Sequence, residues 1–563
     1  MNVNNIRKLM QQKKLDAYVV THGNRFIGQD ILPIENKLQK ICGFSGSAGI
    51  LAITAKKAYL LVDGRYELQA RQETDAEQIT VIDEIPHLKA VCDILQKENL
   101  CNIGYDAWNH TVAEMEFIKR RYHNMTFTDY SIEAEITNPR QIKAQNRDLQ
   151  FSGMSTDDKI QIVSNMLQEQ EADFYLFTSA DSISWLLNLY SDDLPYSPVI
   201  RAYALVSKDH KIKLFADNLI ADFPTFGWER LADINNNSSE IKVMYDAHNA
   251  PEKIKLLLGK NIKLIKAPDI CQLMKTEKNK TELQGMINCH IRDGIALVKL
   301  LVWLNNNWQN LREYDVVEKL HEFRSQQQYF FAESFATIAG SGANAAIVHY
   351  QPQKNKDSKL VADNLLLLDS GGQYLDGTTD VTRTIVLGNP SKEMIRDFTA
   401  VLKAQISLAQ AYFPIGTSGA KLDILARQTM WKFGADYKHG TGHGVACFGN
   451  VHEGPISIST SGSEFGFKEN MITSIEPGIY IAGKYGIRIE NLVYTKQTDE
   501  YNNMLCFKHL TKVPIDKRLI DAYLLTAGEQ AWLNAYHADV YASLAPYLNE
   551  IEKNWLKDAC SPL

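Results

Sequence analysis

At 563 residues the chain exceeds what one hydrophobic core organises and, at about 150 residues per domain, divides into several. Apolar residues form 45% and charged residues 23%, proportions that exclude a disordered or fibrous chain. The balance of 60 basic against 67 acidic side chains leaves a net charge of −7, which argues against a general nucleic-acid binder and offers no polybasic membrane anchor.

No run approaches the ~20 apolar residues of a membrane span, and the first 20 residues lack the continuous apolar stretch of a secretory signal. Eight scattered cysteines with no CxxC pair suit a reduced, cytoplasmic setting. After a Lys-rich helical stretch, Asp16–Thr21 is predicted as a buried strand, and Gly49–Thr54 and Ala58–Asp63 as two strands around a Lys-Lys turn. The segment DAYVVTHGN (16–24) is echoed by DFYLFTSAD (173–181), each a short strand ending in a polar turn after a helical pattern. That echo predicts two related α/β domains. Polar, punctuated sequence at 137–155 and the charged run Lys275–Lys280 mark boundaries, giving divisions at 1–150, 151–275 and 276–563. A long helical pattern follows from Glu282 to Trp308. The last 60 residues are helical and rich in aromatics (Trp532, Tyr536, Tyr541, Tyr547, Trp555), which suits a packed terminal helix pair or, alternatively, a subunit interface.

The chemistry concentrates in residues 340–495. Asp369 closes the apolar run Leu365–Leu368, and Asp380 follows eleven residues later. Fully extended, the two would stand ~36 Å apart, but Gly371-Gly372 and Asp376-Gly377 predict a chain that folds back and brings them together. Two carboxylates so placed repel unless one is protonated or a cation lies between them. Glu476 ends a second apolar run, Met471–Ile475, at Pro477-Gly478. Glu490 lies in Gly486–Tyr494, which alternates as a single strand with Ile487, Ile489 and Asn491 on one face and Arg488, Glu490 and Leu492 on the other. Glutamates in such contexts are costly to bury without compensation, although any one of the four acids, taken alone, reads more readily as a turn, strand-capping or surface residue. Of the 14 histidines, four fall between 349 and 452: His349, His439, His443 and His452. The loop HGTGHG (439–444) lets an imidazole approach a site closely. Four carboxylates and one imidazole make a hard, thiolate-free donor set whose four negative charges two divalent cations would cancel. Manganese, cobalt, zinc and iron suit that set better than magnesium.

The ordered set Asp369, Asp380, His443, Glu476 and Glu490 resembles the five metal ligands of the pita-bread metallopeptidases, and LLLLDSGGQYLDGTTDVTRT, HGTGHGVACFGNVHEGP, SIEPGIY and YGIRIEN resemble their local motifs. Upstream, GFSGSAG (43–49), DGRY (63–66) and SISWLLNLYSDD (182–193) are similar to the N-terminal domains of the long cytosolic form of the Xaa-Pro aminopeptidase family. KVPIDKRLIDAYLLTAGEQAWLNAYH is similar to that form's C-terminal extension, here about 500–563. The resemblance implies an α/β (α+β) chain: two related creatinase-like domains followed by a pita-bread catalytic domain. It also implies two divalent metals, usually manganese with cobalt or zinc acceptable, and a cytoplasmic homodimer. The implied substrates are peptides with an N-terminal Xaa-Pro, and no nucleic acid or membrane is involved.

Carried over by position, Asp369 binds one metal through both oxygens, Asp380 and Glu490 bridge the pair, and Glu476 and His443 hold the other. His349, His439 and His452 match outer histidines that steady the tetrahedral intermediate and line the proline pocket, while Tyr480 and Arg488 match a hydrogen-bonded relay beside Asp369. The implied reaction is attack of a metal-bridging hydroxide on the Xaa-Pro bond, with Glu476 carrying the proton. Prolidase, usually a shorter two-domain chain, is the alternative within the fold. A second alternative is a non-catalytic peptide- or histone-binding pita-bread module, which lacks the ligands. Gly340–Ala345 also fits the G-x-G-x-x-A of dinucleotide binders, but Ala346–Tyr350 reads as a strand where that fingerprint needs a helix.

Overall fold

A computed structural model describes every residue except 1, 29, 133–139, 235–239, 259–260 and 463. Part of the predicted 137–155 boundary therefore lies outside the described residues. The chain divides into two compact units. The first comprises Met1–Leu149, Met154–Leu194 and Pro198–Cys271; the second is Gln272–Leu563 together with Gln150–Gly153 and Pro195–Ser197.

The first unit contains two six-stranded sheets. In one, β1 (Ala17–Thr21), β2 (Ile50–Thr54), β3 (Ala58–Val62), β4 (Thr80–Asp83), β5 (Asn102–Tyr105) and β6 (Thr126–Asp129) lie in the order β4-β3-β2-β1-β5-β6. In the other, β7 (Phe174–Phe177), β8 (Tyr203–Ser207), β9 (Ile212–Phe215), β10 (Thr225–Phe226), β11 (Ile241–Tyr245) and β12 (Ile262–Lys266) lie in the order β10-β9-β8-β7-β11-β12. The pairing directions also correspond: two antiparallel steps from β1 to β3 and from β7 to β9, and parallel steps elsewhere. The nine-residue echo thus marks the central strand of each sheet. Along β1 the side chains feed two cores in alternation: Tyr18 and Val20 pack with Val3, Ile6 and Met10 of helix α1 (Val3–Lys13), and Ala17 and Val19 with Val91 and Leu95. A strand covered on both faces reads as an unbroken apolar run for that reason.

The second unit opens with helix α2 (Lys280–Asn307), whose start is fixed by a capping box between Asn279 and Glu282. The charged run before it is not a solvated linker. Lys275 and Lys278 are both buried and both grip Glu453, the former at 2.7 Å. Helix α2 pairs with α3 (Glu313–Ser325), and α4 (Lys392–Ala409) with α5 (Gly419–Trp431). The unit also contains four antiparallel sheets: β13 (Phe330–Glu333), β16 (Gly372–Tyr374) and β17 (Gly377–Thr378); β14 (Ile338–Ser341), β15 (Asn364–Ser370) and β18 (Val381–Leu387); β23 (Gly478–Ile481) and β24 (Tyr485–Arg488); and a six-stranded sheet. The last contains β19 (Tyr412–Pro414), β20 (Gly442–Gly444), β21 (Glu453–Ile458), β22 (Ile472–Ile475), β25 (Asn491–Gln497) and β26 (Met504–His509), ordered β19-β26-β25-β22-β20-β21. Leu365 joins the core built by Phe398, Val401 and Leu422, whereas Leu366 and Leu368 face Leu297, Leu301 and Leu320, so β15 also has two dry faces.

Two predicted strands fold differently. Ala346–Tyr350 is not a strand: a 3-10 turn, Gly342–Ala346, leads into an irregular loop. This loop wraps around the buried Glu313 carboxylate, which accepts from Ser341 N, Asn344 Nδ2, Tyr350 OH and Ser358 N, so its donors are satisfied without a partner strand. Gly486–Tyr494 is not one strand but the end of β24 and the start of β25, which belong to different sheets and are separated by Ile489 and Glu490. Every residue from Ile487 to Val493 is buried, so its alternation does not divide a wet face from a dry one.

At the C-terminus, α6 (Ala527–Leu544) and α7 (Glu550–Ala559) pack inward. Trp532 stacks on Tyr536 with ring centroids 5.6 Å apart, Trp532, Tyr541 and Trp555 rest against the core, and Tyr547 stays exposed. The packed-pair reading therefore accounts for four of the five aromatics. No helix among the described residues is long and apolar enough to cross a membrane.

Candidate metal centre

The fold-back between Asp369 and Asp380 follows from β15 and β18 pairing antiparallel, with Asp369 opposite Thr382 and Ser370 opposite Val381. Gly371 allows the turn, since a Cβ there would lie 1.9 Å from Thr379 O. A second antiparallel pair, β22 with β25, ends at Ile475 opposite Asn491, so Glu476 and Glu490 meet just beyond the ladder. His443 stands in the middle of β20, beside β22, and its N–H donates to Ser474 Oγ at 3.0 Å. HGTGHG is thus a turn running into a strand. Its glycine at 442 serves the sheet, because a Cβ would lie 2.0 Å from Ser474 O.

These elements converge. Donor atoms of Asp380, His443 and Glu490 all lie within 4.8 Å of one another. His443 Nε2 is 3.5 Å from both Asp380 Oδ2 and Glu476 Oε1. His443 Nδ1 is 3.0 Å from Gly444 O, an atom that can only accept, so Nδ1 carries the ring proton and Nε2 presents its lone pair to the carboxylates. Burial lowers the His443 pKa and keeps the ring neutral. The same burial, followed by the proximity of the other carboxylates, raises Asp380 and Glu490 well above the usual carboxylate range.

Two oxygens in this cluster, Asp369 Oδ1 and Glu490 Oε1, are buried with no hydrogen-bond partner among the described residues. Their opposite oxygens are satisfied: Arg488 Nη2 donates to Asp369 Oδ2 at 2.6 Å, and Thr382 Oγ1 donates to Glu490 Oε2 at 2.9 Å. Buried carboxylate oxygens left open among like charges are what a hard cation would satisfy, and a neutral imidazole beside them completes a donor set for divalent metals. Arg488 offsets one of the four negative charges, so the cluster carries a smaller surplus than the acids alone indicate.

The outer residues form a chain behind Asp369. Arg488 Nη1 donates to Tyr480 OH at 2.7 Å, and Tyr480 OH lies 2.9 Å from His439 Nε2. Burial pushes the Tyr480 hydroxyl up to about 12, with Arg488 opposing, so it stays a phenol. His452 is exposed, its ring 4.3 Å from that of His443 in an edge-to-face arrangement. His349 is half-buried and follows Val348, whose carbonyl accepts from Arg488 at 3.4 Å. The sequence reading missed Thr382, Ser474 and Arg383. Thr382 was detectable, two residues past Asp380 and hence on its face. Ser474 accepts from His443 N and donates to Glu476 Oε1 at 3.3 Å, a role with no local signal.

Comparison with known proteins gives matches along nearly the whole chain. Residues 284–497 match metallopeptidase family M24 and 503–563 the C-terminal region of peptidase M24. Residues 3–137 and 137–282 each match a creatinase/prolidase N-terminal domain. A Laccaria bicolor protein named "Probable Xaa-Pro aminopeptidase P" is 36% identical over 598 residues, covering 99% of this chain and 92% of its own length. The crystal structure of X-prolyl aminopeptidase from Caenorhabditis elegans, described as a cytosolic enzyme with a di-nuclear active site, superposes with a TM-score of 0.93 at 31% identity, covering 100% of this chain and 99% of that one. A prolidase from Thermococcus sibiricus shares the fold at 21% identity and a TM-score of 0.52, covering 65% of this chain and 99% of its own.

Proposed function

This chain belongs to metallopeptidase family M24, and from that premise we propose that it is a dinuclear Xaa-Pro aminopeptidase, releasing the N-terminal residue from peptides with proline in second position. The observation that carries the reading is the cluster of four carboxylates, three of them buried, around a neutral imidazole, with two carboxylate oxygens left open. Asp369, Asp380, His443, Glu476 and Glu490 would hold two divalent cations, preferably manganese with cobalt or zinc accepted, which when bound supply Lewis acidity and a water acidic enough to be a nucleophile near neutral pH. The chain is read as three domains, 1–150, 151–275 and 276–563, working in the cytoplasm as a homodimer. Exposed Tyr523, Tyr547 and Ile551 near the C-terminus support the pairing.

Glu476, half-buried at the end of β22, takes a proton from the attacking water and returns it to the proline nitrogen. That nitrogen has no hydrogen of its own in the amide, so it leaves only when protonated. His452 is exposed beside the cluster and donates to the carbonyl oxygen as it gains charge. His349 and His439 line the same site. The Tyr480–Arg488 chain holds Asp369 in one orientation.

The test is a peptide series on chelated and then manganese-reconstituted protein. Metal-dependent release of the first residue from Xaa-Pro-Yaa tripeptides is expected, and Glu476→Gln should keep the fold while lowering turnover by about 10³-fold. Cleavage confined to Xaa-Pro dipeptides would reassign the chain as a prolidase. No cleavage of either would leave a binding module.

A further inference from the structure

Arg383 lies on β18, one residue past Thr382, so its side chain leaves the opposite face of the strand from the carboxylate cluster. It is 3% exposed. Nη1 donates to Thr382 O at 2.8 Å and Glu490 O at 2.7 Å; Nη2 to Asn491 Oδ1, Val513 O and Tyr536 OH, each at 2.8 Å; and Nε to Pro514 O at 3.1 Å. All six acceptors are neutral. The other three buried arginines described in this unit are spent on carboxylates: Arg488 on Asp369, Arg324 on Asp293 and Glu333, and Arg427 on Asp423 and Asp436. Arg383 is therefore not an ion-pair strut. Its fork binds the carbonyl of Glu490 and the side chain of Asn491 that follows it and, through the same guanidinium, backbone and a tyrosine of the C-terminal region.

Glu490 needs such a support because it falls in the break between β24 and β25 and so has no ladder of its own. Its N–H donates to Thr382 O at 3.2 Å, its carbonyl accepts from Arg383, and its carboxylate accepts from Thr382 Oγ1. Two consecutive residues of β18 thus fix three polar groups of Glu490. Tyr536 on α6 donates onward to Val513 O at 2.8 Å, so the segment that Arg383 grips is itself braced from the C-terminal helix. We propose that Arg383 is a positioning residue through which the C-terminal region, 503–563, sets the geometry of Glu490 as a metal ligand. The identity of that ligand rests on the peptidase reading above. A lysine at 383 would keep the charge but not the planar fork, and so separates the two contributions.

The experiment uses the full chain stripped of metal and titrated with cobalt(II), followed by calorimetry and by the visible absorption of the bound ion. Wild type is expected to bind two equivalents. Arg383→Lys should weaken at least one site by about 10–100-fold and alter the cobalt spectrum, as loss of a group supporting a ligand does elsewhere. Tyr536→Phe removes only the hydroxyl that accepts from Arg383 and faces Val513 O, Thr511 O and Asn491 Oδ1; it should weaken the same site by a few-fold while the metal-free protein stays folded. Cobalt affinities and spectra unchanged in both folded variants would overturn the proposal, and if Arg383→Lys does not fold, an unchanged Tyr536→Phe overturns it alone. Peptide cleavage is scored separately. A wild type that binds cobalt but cleaves no Xaa-Pro peptide removes the peptidase reading while a cobalt defect in the variants still supports the role of Arg383; a wild type that binds no cobalt removes both.

Discussion

Glu313 is fully buried, and the four groups that donate to it are all neutral. Its two oxygens collect the loop that begins at Ser341 and ends at Ser358, and His349 rides on that loop. Glu313→Gln keeps the shape but turns one acceptor into an NH2 facing donors, leaving at least one of them unsatisfied in a dry site. The variant should lose about 2–3 kcal/mol from the stability of its unit, read from the urea midpoint, and lower kcat/KM on an Xaa-Pro-Yaa peptide by about 10-fold. An unmoved midpoint with unmoved kcat/KM would reject the assignment. Nothing in the sequence announces this residue: at the first turn of α3 it reads as an acid favoured by the helix dipole. Its donors are supplied from 28 to 45 residues away. The four acids and the imidazole of the centre were legible for the opposite reason: Asp369 and Glu476 close apolar runs where a charge is costly, Glu490 lies in an apolar stretch, and Asp380 and His443 follow glycine- and threonine-rich turns. Ser474 and Arg383 were not, since a hydroxyl and a strand arginine are ordinary until their partners are known.

Sheet spacing decides whether those side chains meet. Strand β20 lies between β21 and β22, and Gly442 brings its backbone so close to β22 that a methyl would sit 2.0 Å from Ser474 O. Backbone cannot yield as a flexible side chain can, so Gly442→Ala should push β20 off β22. That displacement would carry His443 away from Asp380 and Glu476. Expected are a melting temperature several degrees lower and a loss of cobalt affinity of 10-fold or more, whereas alanine at Gly440, with no atom nearer than 3.4 Å, should leave both nearly unchanged. Equal effects at the two glycines would show that the loop, and not the strand spacing, matters. The same geometry explains which elements were readable in advance. Strands covered on both faces, such as β1, β2, β3 and β15, stand out as apolar runs, and the matching topology of the two N-terminal sheets surfaced as a nine-residue echo. The break at Ile489–Glu490 left no trace, because both halves are buried and keep an even alternation. The turn at Ala346–Tyr350 was hidden by β-branched residues whose conformation is set by Glu313.

For the whole molecule, pH acts through two sets of buried groups with opposite signs. Burial lowers His290 to about 4 and His509 and His537 to about 3, so in the folded chain they stay neutral where the unfolded chain takes up protons near 6.5. Their contribution is intact above pH 6.5 and is lost on acidification, by up to about 1.4 kcal/mol per pH unit for each. Asp380 and Glu490 are raised, first by burial and then by the other carboxylates. Without metal, the folded chain therefore holds protons that the unfolded chain has released by about pH 5. That contribution is complete at low pH and disappears as pH rises through the raised values. Between pH 6.5 and 8 these three histidines are silent, and the metal-free protein should lose stability from the carboxylates, beside a share from His321, which Glu333 raises and which acts alike on both forms. Metal requires both carboxylates ionised, so its binding strengthens over the same interval. The expected result is a gap in melting temperature between manganese-loaded and metal-free protein that widens steadily from pH 6.5 to 8, while below pH 6 both forms weaken together. Calorimetry in buffers of different ionisation enthalpy should also detect protons released on manganese binding at pH 7. A gap that stays constant or narrows with rising pH, without proton release, would mean that the carboxylates are already ionised in the metal-free fold and that their repulsion is relieved by something other than the cations.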